Sequence, residues 1–301
     1  RPMHALVATV FLFPWGGLYV DLGVYVNAYQ IMLLALCITC FLRSIYSDWR
    51  PGPIAGGLMF AAFLLFAMVA SLAQIGVIPE TKIAASSGAL RGPWARAMIQ
   101  IFMFAFTLSP ALLVPMLLRR PEQAVTLVQT YIKSAVVVAL IGWVQLAIWY
   151  RTGQNPLPIG IVNQLLGGRS LGVMDGIFSL GALPVFRMSS ISGEPRSLGG
   201  ALVFAMMMIQ GIAATTANVR RGKLFAVWLF LAISTLATLS TSSLLLWTMG
   251  SLVQLPVAVI LGVRLRVSLA RVLAIFATIF VLFGGAVAAI ESTGFPIIDI
   301  A

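Results

Sequence analysis

Acidic residues are nearly absent from this chain. Eight Asp and Glu stand against nineteen Lys and Arg in 301 residues, and charged residues of both signs make up only 9%. A water-soluble domain carries about 25%, so the composition excludes a soluble fold. Cysteine and histidine are scarcer still, at two and one. A structural zinc site needs about four such ligands, and no acidic cluster stands in for them, so neither metal nor other cofactor is expected. Cys37 and Cys40 have the spacing of a redox motif. They fall inside an apolar run, however, and read as two small soft residues of a lipid-embedded helix. His4 reads as an interfacial residue near the start of the first span. The alternation over about 10 residues that marks outer-membrane barrel strands is missing. No small-residue cleavage site follows the first apolar block, so no cleavable signal peptide is expected. Nor is there an internal repeat of the kind seen in inverted-repeat transporters.

What is present is apolar length. Hydrophobic residues make up 60% of the chain, mostly in blocks of roughly 18 to 25, and a hydrocarbon core about 30 Å thick needs about 20 residues of helix. The expected fold is all-α, a polytopic integral membrane helical bundle. About nine spans are readable, near 4–20, 28–42, 53–74, 97–117, 125–149, 198–218, 224–240, 244–263 and 268–290. Residues 1–301 read as a single transmembrane domain. Within it, 150–197 forms a non-spanning stretch too apolar for disorder, expected to hold short helices or re-entrant backbone. Pro110 and Pro115 predict a kink in the fourth span. Lys133, about two turns into the fifth span, is expected to snorkel to the interface. Trp143, Trp149 and Tyr150 surround Gln145 and fit either an aromatic belt or a platform for stacking sugars.

The basic residues sort by side of the membrane. Arg1, Arg43, Arg50, Arg119, Arg120, Arg220, Arg221, Lys223, Arg264, Arg266 and Arg271 fall in alternate segments, which by the positive-inside rule predicts a cytoplasmic N-terminus. A second set breaks the rule. Lys82, Arg91, Arg96, Arg151, Arg169, Arg187 and Arg196 fall on the external side, accompanied in that region by Glu80, Asp175 and Glu194 alone. That local excess points to an anionic partner. In a membrane chain the basic residues do not point to nucleic acid. The final stretch, Phe295 to Ala301, reads as the beginning of an external segment, so the protein is expected to continue beyond it.

The densest chemical signal runs from Arg187 to Gly199. It brings two arginines, one glutamate, four serines and two glycines to the external mouth of the sixth span. Arginine forks match phosphate oxygens bidentately, and a helix starting near Ser197 adds free N–H groups. A lipid-attached diphosphate is the anion that belongs at this depth. Glu194 precedes Pro195, which disfavours the α region there. The glutamate either faces the loop, free to activate a hydroxyl, or pairs with Arg187 or Arg196 and pins it. A second cluster, Ser234, Thr235, Thr238, Ser240, Thr241, Ser242 and Ser243, puts seven hydroxyls into ten residues. One of them should cap the next helix. The others bond neighbouring helices or a polar substrate.

Arg187, the Glu194-Pro195 step and Gly199, followed by the Ser-rich Leu239–Ser243 segment, resemble the O-antigen polymerase and O-antigen ligase family of bacterial polysaccharide-assembly membrane proteins. The span count and loop lengths extend the resemblance over almost the whole chain. Family members usually carry Ser-Arg or Ser-Lys where this chain has Ser242-Ser243. The resemblance implies a GT-C-like inverting glycosyltransferase in the bacterial inner membrane. It would polymerise undecaprenyl-diphosphate-linked oligosaccharide repeat units at the periplasmic face, or, as a ligase, transfer glycan to a lipid A core. Arg187, Arg196 and Glu194 would be the catalytic residues. Arg91, Arg169, Ser240, Ser242 and Ser243 would join the two arginines in holding the diphosphate and substrate. The resemblance also implies a large periplasmic loop and further helices beyond residue 301. Its expected partners are membrane lipid, a chain-length regulator and other polysaccharide-assembly proteins. Two further classes use the same features: a flippase for lipid-linked sugars, which needs basic and polar residues deep in several spans, and a non-catalytic membrane scaffold, which needs no pocket under the Arg187–Arg196 loop.

Overall fold

A computed structural model describes residues 2–21, 25–46, 62–63, 65–66, 68–70, 98, 101–103, 105–107, 109–118, 120–153, 177–180, 183–215 and 221–260. The described chain is mostly helical. Its helices are α1 (Pro2–Leu12), α2 (Ala28–Tyr46), α3 (Pro110–Leu117), α4 (Pro121–Thr152), α5 (Pro195–Thr215), α6 (Arg221–Ala237) and α7 (Thr241–Ile260). Two small antiparallel ladders interrupt them, β1 (Tyr19–Asp21) with β2 (Tyr25–Asn27) and β3 (Ile177–Leu180) with β4 (Leu183–Phe186). Three helical stretches, Ala28–Tyr46, Pro121–Thr152 and Pro195–Ala213, are long and apolar enough to cross a membrane. They coincide with the expected spans 28–42, 125–149 and 198–218.

The helices expose apolar faces that a water-soluble fold would cover. On α2, Ile31, Leu34, Ile38, Phe41 and Ile45 are exposed at helical spacing. On α4, Val137, Leu140, Val144 and Ile148 form such a face, while Ser134 and Gln145 of the same helix are fully buried. Apolar faces turned outward and hydroxyl or amide groups turned inward suit helices whose surroundings are lipid.

The chain divides into two compact units. The first comprises Arg1–Val10 and Tyr19–Leu127. Its core joins Leu6 of α1 to Leu33, Leu36 and Cys40 of α2 and to Leu127, with Cys37 packed at the edge. The two cysteines are free and serve as packing residues. Gln30 reaches Thr107 across this unit. Where the sequence predicts a kink in the fourth span, Ser109 stands in a turn with helical dihedrals, and Pro110 opens α3, which runs through Pro115. Proline lacks an N–H and suits a first helical position. The expected first span, 4–20, is corrected. α1 stops at Leu12, and 11 residues rise only about 16 Å, half of a hydrocarbon core. Pro14 disfavours helix at Phe13, and Gly16 and Gly17 favour the turns that follow.

The second unit comprises Phe11–Leu18 and Val128–Ala301. α5 packs against both α6 and α7. Tyr131 of α4 donates to the Ala201 carbonyl of α5 and meets Phe204 edge-on at 5.2 Å. Trp143 of α4 donates to Ser234 of α6. α4 is 32 residues long, about 48 Å, well beyond a bilayer core. Lys133, exposed on its surface, therefore does not have to lie two turns deep. Gly153 closes the helix at φ 68°, the left-handed position that glycine takes after a last turn. β3 and β4 occupy part of the stretch expected to hold short helices.

Candidate functional site

The loop after β4 is built from the second unit alone. Phe186 ends the strand fully buried and stacks on Trp149 at 5.1 Å. Trp149 also meets Tyr150 edge-on. Of the three rings around Gln145, Trp149 is buried, Trp143 half-buried and Tyr150 exposed. Burial takes Trp149 out of the expected belt or sugar platform.

Beyond Phe186 the chain forms a 3-10 turn, Ser190–Ser192, held from below by unusual polar contacts. Gln145 lies at 0% exposure about two turns before the end of α4. Its Oε1 accepts from the backbone N–H of Ser190 at 2.7 Å and of Ser189 at 3.4 Å, and its Nε2 donates to Ser189 Oγ. Ser190 Oγ donates to the Val138 carbonyl at 2.6 Å. A second support comes from the turn after α1. Ser192 Oγ donates to the Pro14 carbonyl, and the Gly17 N–H donates to the Ile191 carbonyl. Gly17 and Gly193 lie against each other so closely that a Cβ on either would strike the other's backbone, and Gly193 has φ 84°. Glycine is required at both places by this approach. The Ser190 and Ser192 hydroxyls are therefore spent as structural donors, and Ser189 Oγ serves as the acceptor for Gln145.

The loop's upper edge meets the turn between α6 and α7. The Met188 N–H donates to the Ala237 carbonyl, and Arg187 Nε donates to the Thr238 carbonyl at 3.3 Å. The Arg187 fork is half-buried and held by its ε-nitrogen. Two non-glycine residues of these segments have left-handed backbone, Ser190 at φ 52° and Leu239 at φ 47°. Strain of this kind costs on the order of 1–3 kcal/mol per residue and persists where the surroundings dictate it.

In the same turn Ser240 opens α7. Its carbonyl accepts from Ser243 and Leu244, and its Oγ lies 3.4 Å from the Ser243 N–H, the arrangement of a helix cap. Ser243 Oγ is 2.9 Å from Ser240 Oγ and 3.4 Å from the Arg196 carbonyl. Ser242 is exposed and touches Ser240. Ser234, Thr235 and Thr238 bond back to carbonyls of their own chain within four residues. Of the seven hydroxyls, Thr241 and Ser242 face outward; the rest stabilise the helix ends and their packing.

α5 completes the site. Pro195 is its first residue, and the Glu194 carbonyl accepts the first helical bond from Leu198. Glu194, Arg196 and Ser197 are exposed. Among the described residues Glu194 forms no ion pair with Arg187 or Arg196, so the pinning role expected from sequence as one alternative is not adopted. Gly199 lies beneath Ser243 and Thr238. The structure thus joins Arg187, Arg196, Gly199, Ser240 and Ser243 through one turn. Arg91 and Arg169 lie outside the described residues. Gln145 and the Thr238 carbonyl are the elements that sequence did not single out for this site. Gln145 was visible as a lone amide in an apolar run, whereas a backbone carbonyl has no signature.

Among the described residues no group of three or more His, Cys, Asp or Glu gathers as a metal-ligand set. The arrangement offers an arginine fork fixed on one side, a second arginine at a helix start, a carboxylate free of both, and outward hydroxyls. Such a set can bind an anion and receive a proton. Comparison of the chain with protein families, curated proteins and solved structures finds no match.

Proposed function

We propose that this chain is a membrane glycosyltransferase that polymerises polyprenyl-diphosphate-linked oligosaccharide repeat units, in bacteria on undecaprenyl diphosphate, at the external face of the inner membrane. The reading includes a cytoplasmic N-terminus and a GT-C-like bundle of several spans. The observation that carries it is the meeting of two separate sequence segments: Arg187 rests on Thr238, and Ser243 rests on Arg196. These are the two segments on which the resemblance to the polymerase and ligase family stands.

The reaction follows from the groups present. An acceptor hydroxyl oxygen attacks the anomeric carbon, the bond from that carbon to the diphosphate oxygen breaks, and the electron pair leaves with the diphosphate. Configuration inverts. Arg187 and Arg196 offset the charge developing on the leaving group, where fixed donors are worth most. Glu194, exposed and unpaired with either arginine, takes the acceptor proton. No step is assigned to a metal. Among the described residues no Asp, Glu, Lys or Arg is fully buried, which favours chemistry at one face over carriage of a charged group through the bundle.

The test is turnover of synthetic undecaprenyl-diphosphate oligosaccharide by the full chain in proteoliposomes. Wild type should make a product ladder. Arg187→Ala and Arg196→Ala should lose it at unchanged protein level. Arg187→Lys should not restore it, because lysine cannot hold Thr238 and present a planar fork together. A single transfer appearing only with a lipid A core acceptor would reassign the chain as a ligase. Lipid scrambling without turnover would replace the enzyme by a transporter.

A further inference from the structure

We propose that Gly199 is a positioning residue: the closeness of its backbone to Thr238 and Ser243 sets where the Arg187 guanidinium is presented. The proposal rests on the reading of Arg187 as a diphosphate contact, and it concerns a residue that touches no substrate. Gly199 lies buried on α5, one turn beyond Arg196. A Cβ built there would collide with Ser243 Oγ, come within 2.6 Å of Ser243 Cβ and lie 3.1 Å from Thr238 Oγ1. Neither neighbour can give way cheaply. Ser243 is 1% exposed, and its hydroxyl is committed to Ser240 and Arg196. Thr238 is 0% exposed, its hydroxyl bonds the Thr235 carbonyl at 2.7 Å, and the next residue is already left-handed.

A side chain at 199 therefore has one outlet, displacement of the whole 238–243 turn from α5. Arg187 is tied to that turn by its ε-nitrogen and by the neighbouring Met188–Ala237 bond. It cannot follow freely. Met188 is fully buried over Gly142, and Ser190 is fixed on Gln145 and Val138. Displacing the turn stretches the Arg187–Thr238 contact and releases the fork. The adjacent glycine supplies the control. A Cβ at Gly200 meets nothing within 4 Å, and alanine there only improves helix propensity.

The experiment uses the full chain in detergent or proteoliposomes, with two readouts. The first is the rate at which phenylglyoxal, a guanidinium reagent, labels Arg187, followed by mass spectrometry. The second is the split between kcat and KM for the lipid-linked donor. Gly199→Ala should label at Arg187 several-fold faster than wild type or Gly200→Ala. It should lower kcat with less effect on KM, by up to about 10²-fold, as a misplacement on the order of 1 Å can. Ser243→Gly, which removes both colliding atoms, should reverse both changes in the double variant, and Ser243→Ala, which keeps the Cβ, should reverse them only in part. Labelling of Gly199→Ala at the wild-type rate, or a defect indifferent to Ser243→Gly, would overturn the proposal. If wild type shows no turnover, the glycosyltransferase reading fails, and the labelling series by itself still decides for or against the positioning role.

Discussion

Replacing Gln145 by Met should loosen the Arg187 loop while leaving the surrounding helices in place. Methionine keeps the length of the side chain and its fit in an apolar interior, but it offers no carbonyl. The Ser190 N–H, bonded to Gln145 Oε1 at 2.7 Å, then stays buried without an acceptor, at a cost of about 1–3 kcal/mol. The Ser189 contact at 3.4 Å is long and adds little. Ser190 has the further burden of its left-handed backbone at φ 52°, which its surroundings must maintain. Opening of the loop should therefore become roughly 5- to 150-fold more frequent. Hydrogen exchange of the peptide covering Met188–Gly193, measured in nanodiscs by mass spectrometry, reads this directly. Exchange in α6 and α7 should not change. If the loop peptide in Gln145→Met exchanges at the wild-type rate, Gln145 is not what holds it, and the account of the loop's support is wrong.

Two further expectations concern stability, read as thermal midpoints in detergent. Leu239 is exposed and left-handed at φ 47°; Leu239→Gly should cost nothing, whereas β-branched Leu239→Val should lower stability by about 1 kcal/mol or more, and equal midpoints would refute the strained turn. Trp143 Nε1 donates to Ser234. Trp143→Phe should therefore lose a bond of about 1 kcal/mol that Ser234→Ala also removes, so the two losses should not add in the double variant, and full additivity would show that the Trp143 indole is not bonded as described.

Some of the site was legible in the sequence because it depends on local chemistry. Pro195 after Glu194 marks a helix start wherever it occurs, since the ring lacks an N–H and restricts the residue before it; α5 begins there. The hydroxyl cluster before α7 announced a helix cap, and Ser240 supplies it. The break at Pro14–Gly17 has a consequence that local sequence does not carry. It ends α1 at Leu12 and sends the turn to brace Ser192 and Ile191, more than 170 residues away in sequence.

Hydrophobic length and scarcity of charge, read from the sequence alone, determined that the chain is helical and apolar enough for lipid, because backbone polar groups in a hydrocarbon medium must be satisfied within the segment that carries them. Tertiary structure decided which hydroxyls are spent on packing and which remain outward. It also decided that Glu194 stands apart from both arginines and that Arg187 hangs from the carbonyl of Thr238. Those outcomes depend on backbone groups and on distances between segments far apart in the chain. A carbonyl is the same at every residue, so no pattern of side chains along the sequence could single out the one at Thr238.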